Sequence, residues 1–343
     1  MPPDNFGQNA NFQGATGVAF GHNTGNNSNN RTSVIPTSPS PTTTMSDTQV
    51  DTGKTYASRS DGEALKTVDS RLADAPYTLF ASWFCPFVQR AWVALENLEI
   101  PYKYCKSMHS IAHTVVDPNL SDEVDPYRKP PDLIEVSPKG LVPALKLNEY
   151  TPPRSLNEST VILEFLDELA RQQGKGRSLL PPLSDPYARA LIRLQVDHIN
   201  RTLVPSFYRY LQAQDADKQA SGHHELYQAL ETLASLFERA ERELGSDKSY
   251  LGLWVEDGEL SLADVMVVPW IIRATNVLEH YRGFELPTGD RFGAWVHRLL
   301  NHPSVKATCS TDQLYINAYE RYAFNRPNTS QVANAINTGK GLP

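Results

Sequence analysis

The sequence predicts two folded parts, an α/β part followed by an all-helical part, both preceded by a long polar segment. Runs rich in strand formers alternate with helical patterns over residues 75–173, whereas helical patterns alone dominate residues 187–325. The first 60 residues are almost free of large aliphatic side chains. At 343 residues the chain is long enough for two ordinary domains beside such a segment.

Residues 1–60 are predicted to be a disordered tail. Asn, Gly and Gln crowd residues 1–30, and Ser, Thr and Pro crowd residues 32–52. This composition leaves little apolar area to offset the entropy that is lost on ordering. The tail lacks the basic start and apolar core of a secretory signal, and Arg31 is the only Lys or Arg before Lys54. The pattern therefore fits neither a secretory signal nor a transit peptide.

The overall composition argues against several kinds of partner. A formal net charge of −7, with no basic patch interleaved with aromatic residues, argues against nucleic acid. No apolar stretch approaches the roughly 20 residues that a membrane helix needs. The three cysteines, Cys85, Cys105 and Cys309, are too scattered to make a zinc site, and the nine histidines have no metal-binding spacing. We expect a cytoplasmic protein without a metal, a membrane or a nucleic-acid partner.

The α/β part is predicted to contain a βαβ unit, an irregular connector at residues 107–128, and then a ββα unit. The crossover helix should make the first two strands parallel. In chain order the predicted strand, helix, strand, strand, strand and helix are residues 77–81, 86–98, 101–106, 141–147, 154–156 and 159–171.

The helical part follows a linker at residues 174–186 that contains Pro181-Pro182, and a C-terminal extension at residues 326–343 follows it. Ser261 and Asp264 form a predicted capping box at the start of a helix that is apolar nearly all round, so this pair is assigned a structural role. The predicted helices are residues 187–212, 225–244, 261–279, 290–300 and 311–322.

Cys85 stands where the first strand ends and the first helix begins. Pro86 suits the first helical position because its missing N–H would have had no partner there. The helix dipole and the free amides of the first turn stabilise an anion, so the position predicts a thiol pKa below the usual value of about 8.5. The alternative is a buried structural cysteine.

Four motifs in a fixed order carry a family resemblance. They are Cys85-Pro86-Phe87, Gly140-Leu141-Val142-Pro143, Glu158-Ser159 and Ser261-Leu262-Ala263-Asp264. Together they resemble the cytosolic glutathione transferases over roughly residues 75–325, and the run Phe84-Cys85-Pro86-Phe87 resembles the omega class and its fungal members. The resemblance implies a thioredoxin-like N-terminal domain followed by an all-helical C-terminal domain, with glutathione as co-substrate and a homodimeric assembly.

The resemblance also implies roles for the residues around the thiol. Cys85 would form a mixed disulfide with glutathione, and the backbone of Val142 would meet the cysteinyl part of glutathione. Pro143 is expected to follow a cis peptide bond, although an ordinary trans proline is the alternative. Phe87 would border glutathione or would only pack inside the protein.

Three further residues are assigned to the ends of glutathione by the resemblance. Glu158 and Ser159 would meet the γ-glutamyl end, Ser159 through its hydroxyl and a helix-start amide. A plain helix start is the alternative for this pair. Lys129 would pair with the glycyl carboxylate.

The motif around Cys85 also indicates the type of reaction. Val88 occupies the place of the second thiol of a Cys-X-X-Cys pair, so the chemistry should involve one thiol. The resemblance implies a glutathione-dependent thioltransferase or dehydroascorbate reductase that acts on a small disulfide or electrophilic substrate. The alternative is a regulatory or stress-related binding protein on the same scaffold with a prion-like N-terminal tail.

Overall fold

The computed structural model describes residue 57 and residues 59–107, 122–123, 129–245 and 250–343. Nearly all of the predicted tail, and most of the predicted connector at 107–128, lie outside the described residues. The described chain starts with a short helix, α1 (Gly62–Ser70), that the sequence analysis does not predict. Asp61 ties this start to the helical part, because its carboxylate accepts hydrogen bonds from the backbone and the hydroxyl of Thr311 at 2.7 and 2.6 Å.

The predicted βαβ unit is present, with its two strands parallel. Strand β1 (Tyr77–Phe80) leads into helix α2 (Pro86–Asn97), which returns the chain to strand β2 (Tyr102–Ser107). Tyr77 is paired with Tyr102 and Phe80 with Cys105, so the two strands run in register over four residues.

The remaining strands complete a mixed sheet in the order β3-β2-β1-β4-β5. Strands β4 (Ala144–Leu147) and β5 (Arg154–Asn157) form an antiparallel hairpin, and β4 is also antiparallel to β1. The two-residue strand β3 (Asp122–Glu123) pairs with the end of β2. Parallel β1–β2 beside an antiparallel hairpin is the arrangement that a thioredoxin-like domain requires.

Two helices flank the hairpin in sequence. Helix α4 (Ser159–Gln172) follows the prediction closely, and it packs against α2. Helix α3 (Pro131–Val136) is an addition to the prediction. Its six residues, led by prolines, are too few to display a helical apolar stripe, so the pattern did not reveal it.

The second part contains helices and no strand among its described residues, as predicted. The helix predicted at 187–212 is divided by a π-helical stretch, Ile199–Leu203, because Pro205 has no N–H to donate to the carbonyl four residues earlier. A second π-helical stretch, Ala274–Leu278, interrupts the helix predicted at 261–279. The helices are α5 (Pro186–His198), α6 (Val204–Gln212), α7 (Ala216–Leu244), α8 (Leu262–Arg273), α9 (Glu279–Arg282), α10 (Asp290–Asn301), α11 (Pro303–Lys306), α12 (Asp312–Ala323) and α13 (Gln331–Asn337).

Helix α8 lies at the centre of the molecule, and every one of its residues is buried. The predicted capping box is present, and the Asp264 carboxylate also accepts a hydrogen bond from Trp295 Nε1 at 2.8 Å. Burial raises the pKa of Asp264, which these donors partly offset. Helix α8 packs against α2, so the most buried helix of the second part supports the helix that begins at Cys85. The predicted fold class, a thioredoxin-like domain followed by a helical domain, is confirmed.

Candidate functional site

A cavity of about 670 Å³ lies between the sheet part and the helical part. Its walls come from the start of α2, the loop before β4, the start of α4, helices α6 and α12, and the C-terminal segment. This volume is within the range of about 300–1,000 Å³ that is usual for small-molecule sites. All the residues that the sequence analysis assigns to a site line it, namely Cys85, Phe87, Lys129, Val142, Pro143, Glu158 and Ser159.

Cys85 is the N-cap residue of α2, as its position in the sequence indicates. Its backbone is extended, with φ −79° and ψ 117°, and Pro86 occupies the first turn. The thiol is only partly exposed, and its Sγ lies 3.8 Å from the carbonyl oxygen of Val142, to which it donates a weak hydrogen bond. The thiol therefore faces the loop that the sequence analysis assigns to the cysteinyl part of glutathione.

The pKa of the Cys85 thiol is raised, and the main cause is burial. The backbone amides of Val88 and Phe87 lower this pKa, and so do the guanidinium groups of Arg273 and Arg90, but they do not reverse the shift. The prediction of a depressed pKa was therefore wrong in direction. It rested on the helix N-terminus and did not include the side chains of the helical part that cover the thiol.

The other two cysteines are less suited to exchange chemistry. Burial raises the pKa of Cys105 to about 12 and that of Cys309 to about 11, and neither residue lines the cavity. No disulfide joins any of the three cysteines. Cys85 is the thiol that a ligand in the cavity would meet.

The loop before β4 holds the backbone of Val142 against the thiol. The Val142–Pro143 peptide bond is cis, as expected. Gly140 has φ +63°, and an added Cβ there would lie 2.7 Å from Cδ of Lys129. A glycine is therefore required for the loop and the Lys129 side chain to pack as they do.

Glu158 and Ser159 stand at the start of α4, and both line the cavity. Glu158 has φ 69°, an uncommon backbone conformation for a residue with a Cβ, and such conformations concentrate at binding sites. Its carboxylate lies 3.6 Å from the ammonium group of Lys139. Ser159 is buried, and its Oγ accepts a hydrogen bond from Nη1 of Arg90 at 3.4 Å.

Lys129 and Phe87 line the cavity while making contacts within the protein. The ammonium group of Lys129 donates to the backbone carbonyl of Lys139 at 2.8 Å. The ring of Phe87 meets Trp270 edge to face, with 5.1 Å between the ring centres. Phe87 thus both packs and borders the cavity, and the roles of both residues toward glutathione remain predictions.

Sequence reasoning missed the residues that the helical part brings to the cavity. Tyr208, Tyr319 and Tyr322 line it, and burial raises the pKa values of Tyr208 and Tyr319 above the usual range for tyrosine. Arg273 is fully buried behind them, where it donates to the hydroxyl of Tyr319 at 2.7 Å and to the carbonyl of Phe84 at 3.1 Å. This guanidinium therefore fixes the backbone that leads into the thiol.

The C-terminal extension, to which the sequence analysis assigns no role, also forms part of the wall. Its contribution starts at Asn328, includes one face of α13, and ends with Leu342 and Pro343. Gln212 of α6 secures α13 by donating to the side chain of Asn337 at 3.0 Å. The polar composition of this segment gave no signal of a binding role.

Within the described ranges, no group of three or more His, Cys, Asp or Glu residues is arranged to hold a metal ion. None of the helices formed by those residues is both long enough and apolar enough to cross a membrane.

Comparison with known proteins agrees with the fold. Residues 84–169 match the family described as glutathione S-transferase, N-terminal domain. Pyrimidodiazepine synthase of Drosophila melanogaster is 27% identical over 259 residues, which is 74% of this chain and 89% of that protein.

Solved structures extend the similarity to the helical part. Glutathione transferase Omega 3C from Trametes versicolor is 31% identical, with a TM-score of 0.58 over 74% of this chain and 97% of that one. Rice GST1, solved in complex with glutathione, is 25% identical, with a TM-score of 0.52 over 71% of this chain and 95% of that one. The chain therefore belongs to the glutathione transferase family.

Proposed function

We propose that this chain is an omega-like glutathione-dependent thioltransferase or reductase in which Cys85 forms a mixed disulfide with glutathione. The observation that carries the proposal is the position of the Cys85 thiol. It is the N-cap of α2, 3.8 Å from the Val142 carbonyl, in a cavity that Glu158 and Ser159 also line. The 31% identity to an omega glutathione transferase supports the same assignment.

The other hydroxyl groups in the cavity favour thiol exchange over conjugation. Conjugation needs a group that holds free glutathione as its thiolate, and a tyrosine with an accessible pKa can serve that purpose. Burial raises the pKa of both Tyr208 and Tyr319, and the Tyr319 hydroxyl already accepts a hydrogen bond from Arg273. Tyr208 and Tyr319 are therefore poor candidates to activate glutathione, whereas the Cys85 thiol can take part in exchange.

The proposed reaction has two exchange steps. Cys85 loses its proton and attacks the glutathionyl sulfur of a mixed disulfide, so a Cys85–glutathione disulfide forms while the leaving thiolate takes up a proton. A second glutathione, as its thiolate, then attacks the glutathionyl sulfur, which releases glutathione disulfide and returns Cys85 to the thiolate. The first glutathione would be held in position by Glu158, Ser159 and the backbone of Val142. Its glycyl carboxylate would meet Lys129.

We also propose a homodimer, with a surface of α4 and α5 at the interface. Val161, Tyr187 and Leu194 are exposed apolar residues on these two helices, and an exposed apolar group of this kind favours a protein partner. The three free thiols fit a reducing, cytoplasmic setting.

A turnover screen tests the function. Purified protein is assayed with glutathione against a small disulfide, dehydroascorbate and an aryl halide. We expect turnover with the disulfide or with dehydroascorbate, and little with the aryl halide. Turnover of the aryl halide alone would contradict the proposal, and no turnover of any of the three would favour the regulatory interpretation.

A further inference from the structure

Arg90 is a buried cation without a carboxylate partner among the described residues. It is 1% exposed, and its Nε donates to the carbonyl of Met266 at 2.8 Å. Its Nη1 donates to Ser159 Oγ, whereas its Nη2 has no acceptor in the part of the chain that the structure describes. A buried guanidinium with an unused donor is costly unless an anion comes close to it.

The described groups around Arg90 include no permanent anion, so the anion would have to come from a ligand in the cavity. Its planar group lies over the ring of Trp270, 4.3 Å from the ring centre, and the titratable groups that face it are Cys85 and Tyr208. Burial lowers the pKa of Arg90 to about 9, and both of these neighbours raise it. A thiol and a phenol are neutral when protonated, so neither is a permanent counter-ion.

The hydrogen bond from Arg90 lets its positive charge polarise the hydroxyl of Ser159, which lines the cavity. Because Ser159 Oγ accepts from Arg90, the hydroxyl proton remains available for donation to a ligand. Ser159 lines the cavity and is the first residue of α4, where the backbone amide also lacks a partner within the helix. A carboxylate at this point would accept from a hydroxyl that is polarised by a buried guanidinium.

We propose that Arg90 is a positioning residue for the γ-glutamyl carboxylate of glutathione, on which it acts through the hydroxyl of Ser159. This inference rests on the proposed function. Arg90 lines the cavity but is only 1% exposed, so its effect on the carboxylate passes mainly through Ser159.

A ratio of two binding affinities tests the proposal. The affinity for S-methylglutathione is divided by the affinity for its analogue that lacks the γ-glutamyl α-carboxylate. We expect a ratio of about ten or more in the unaltered protein. The ratio should fall close to one in both Arg90→Met and Ser159→Ala. A purely structural loss would weaken the binding of both ligands equally and would leave the ratio unchanged. A ratio that is unchanged in folded Arg90→Met would overturn the proposal.

Arg90→Lys keeps the proposal testable if Arg90→Met does not fold. The lysine retains a positive charge but loses the forked geometry, so the binding ratio should fall. An unchanged ratio in Arg90→Lys would then overturn the proposal. S-Methylglutathione has no free thiol, so the binding ratio does not depend on the exchange reaction. Failure of the thioltransferase assignment is therefore distinguishable from failure of the role of Arg90.

Discussion

Replacement of Glu158 by Gln should raise the KM for glutathione about tenfold and leave kcat nearly unchanged. A hydrogen bond to a charged group contributes about 1.5–3 kcal/mol, and the γ-glutamyl ammonium would supply the opposite charge. The Glu158 side chain is 53% exposed, so water screens the interaction and the lower end of this range applies. About 1.4 kcal/mol corresponds to a tenfold change in an equilibrium constant.

The substitution is chosen so that charge is the main variable. Glu158 has φ 69°, and Gln carries the same Cβ, so the backbone strain is the same in both proteins. The assay is steady-state turnover of a small disulfide with glutathione as the varied substrate. The matched control is Lys139→Gln, which removes the ion-pair partner 3.6 Å away. An exposed ion pair of this kind contributes little, so the control should change KM less than about twofold.

Two results would refute this reasoning. An unchanged KM in Glu158→Gln would remove the carboxylate from the glutathione site. An equal rise in Lys139→Gln would assign the effect to the loop around residue 139 instead of to a contact with glutathione.

Three further predictions concern the thiol, the N-terminal tail and the assembly. Burial raises the pKa of Cys85, so its rate of alkylation should still be increasing with pH at pH 9, and a plateau near pH 7 would contradict this. A chain that starts at Thr55 should keep full activity. A chain that starts at Leu72 should be less stable to heat, because it lacks α1 and the contacts of Asp61 with Thr311. Equal melting temperatures of the two truncated chains would contradict this. Sedimentation velocity should show a dimer at micromolar concentration and a monomer for Leu194→Glu, and a monomer in both would refute the proposed interface.

Sequence periodicity was sufficient for the order of the main elements. The βαβ unit, the hairpin and helices α4 to α8, α10 and α12 arise from local patterns of apolar residues, and these patterns are visible without knowledge of the neighbours. Helix α7 begins at Ala216, before its predicted start at residue 225, and the four-residue helices α9 and α11 were not predicted. The short helix α3 was missed because its six residues show no apolar stripe, and α13 was missed because it depends on distant contacts. Gln212, more than a hundred positions earlier in the chain, donates to the carbonyl of Ala333 and to the side chain of Asn337 in α13.

The candidate site could be predicted where it depends on motifs and not where it depends on packing. Cys85, Val142 and Ser159 occupy recognisable positions at helix starts and in a loop, and the structure brings them to one cavity. The electrostatic environment of the thiol could not be read in the same way. The helix N-terminus is a local feature, whereas Tyr208 and Tyr319, which interact electrostatically with Cys85, are far away in the sequence.

The contacts of Arg90 could likewise not be predicted from the sequence. In the sequence it is one charged residue on an apolar helix, and nothing there indicates its contact with the start of α4. Its contacts with Ser159 and Met266 exist only because α2, α4 and α8 pack together.

The most direct test of the central claim is intact-mass analysis after treatment with glutathione disulfide, followed by peptide mapping and by kinetics of Cys85→Ser. The account predicts a single glutathione adduct on the peptide that carries Cys85. It also predicts that Cys85→Ser loses thiol transfer by several orders of magnitude, because a hydroxyl cannot form the disulfide. An adduct on Cys105 or Cys309, or near-normal thiol transfer by Cys85→Ser, would contradict the mechanism and favour a binding or regulatory protein on the same fold.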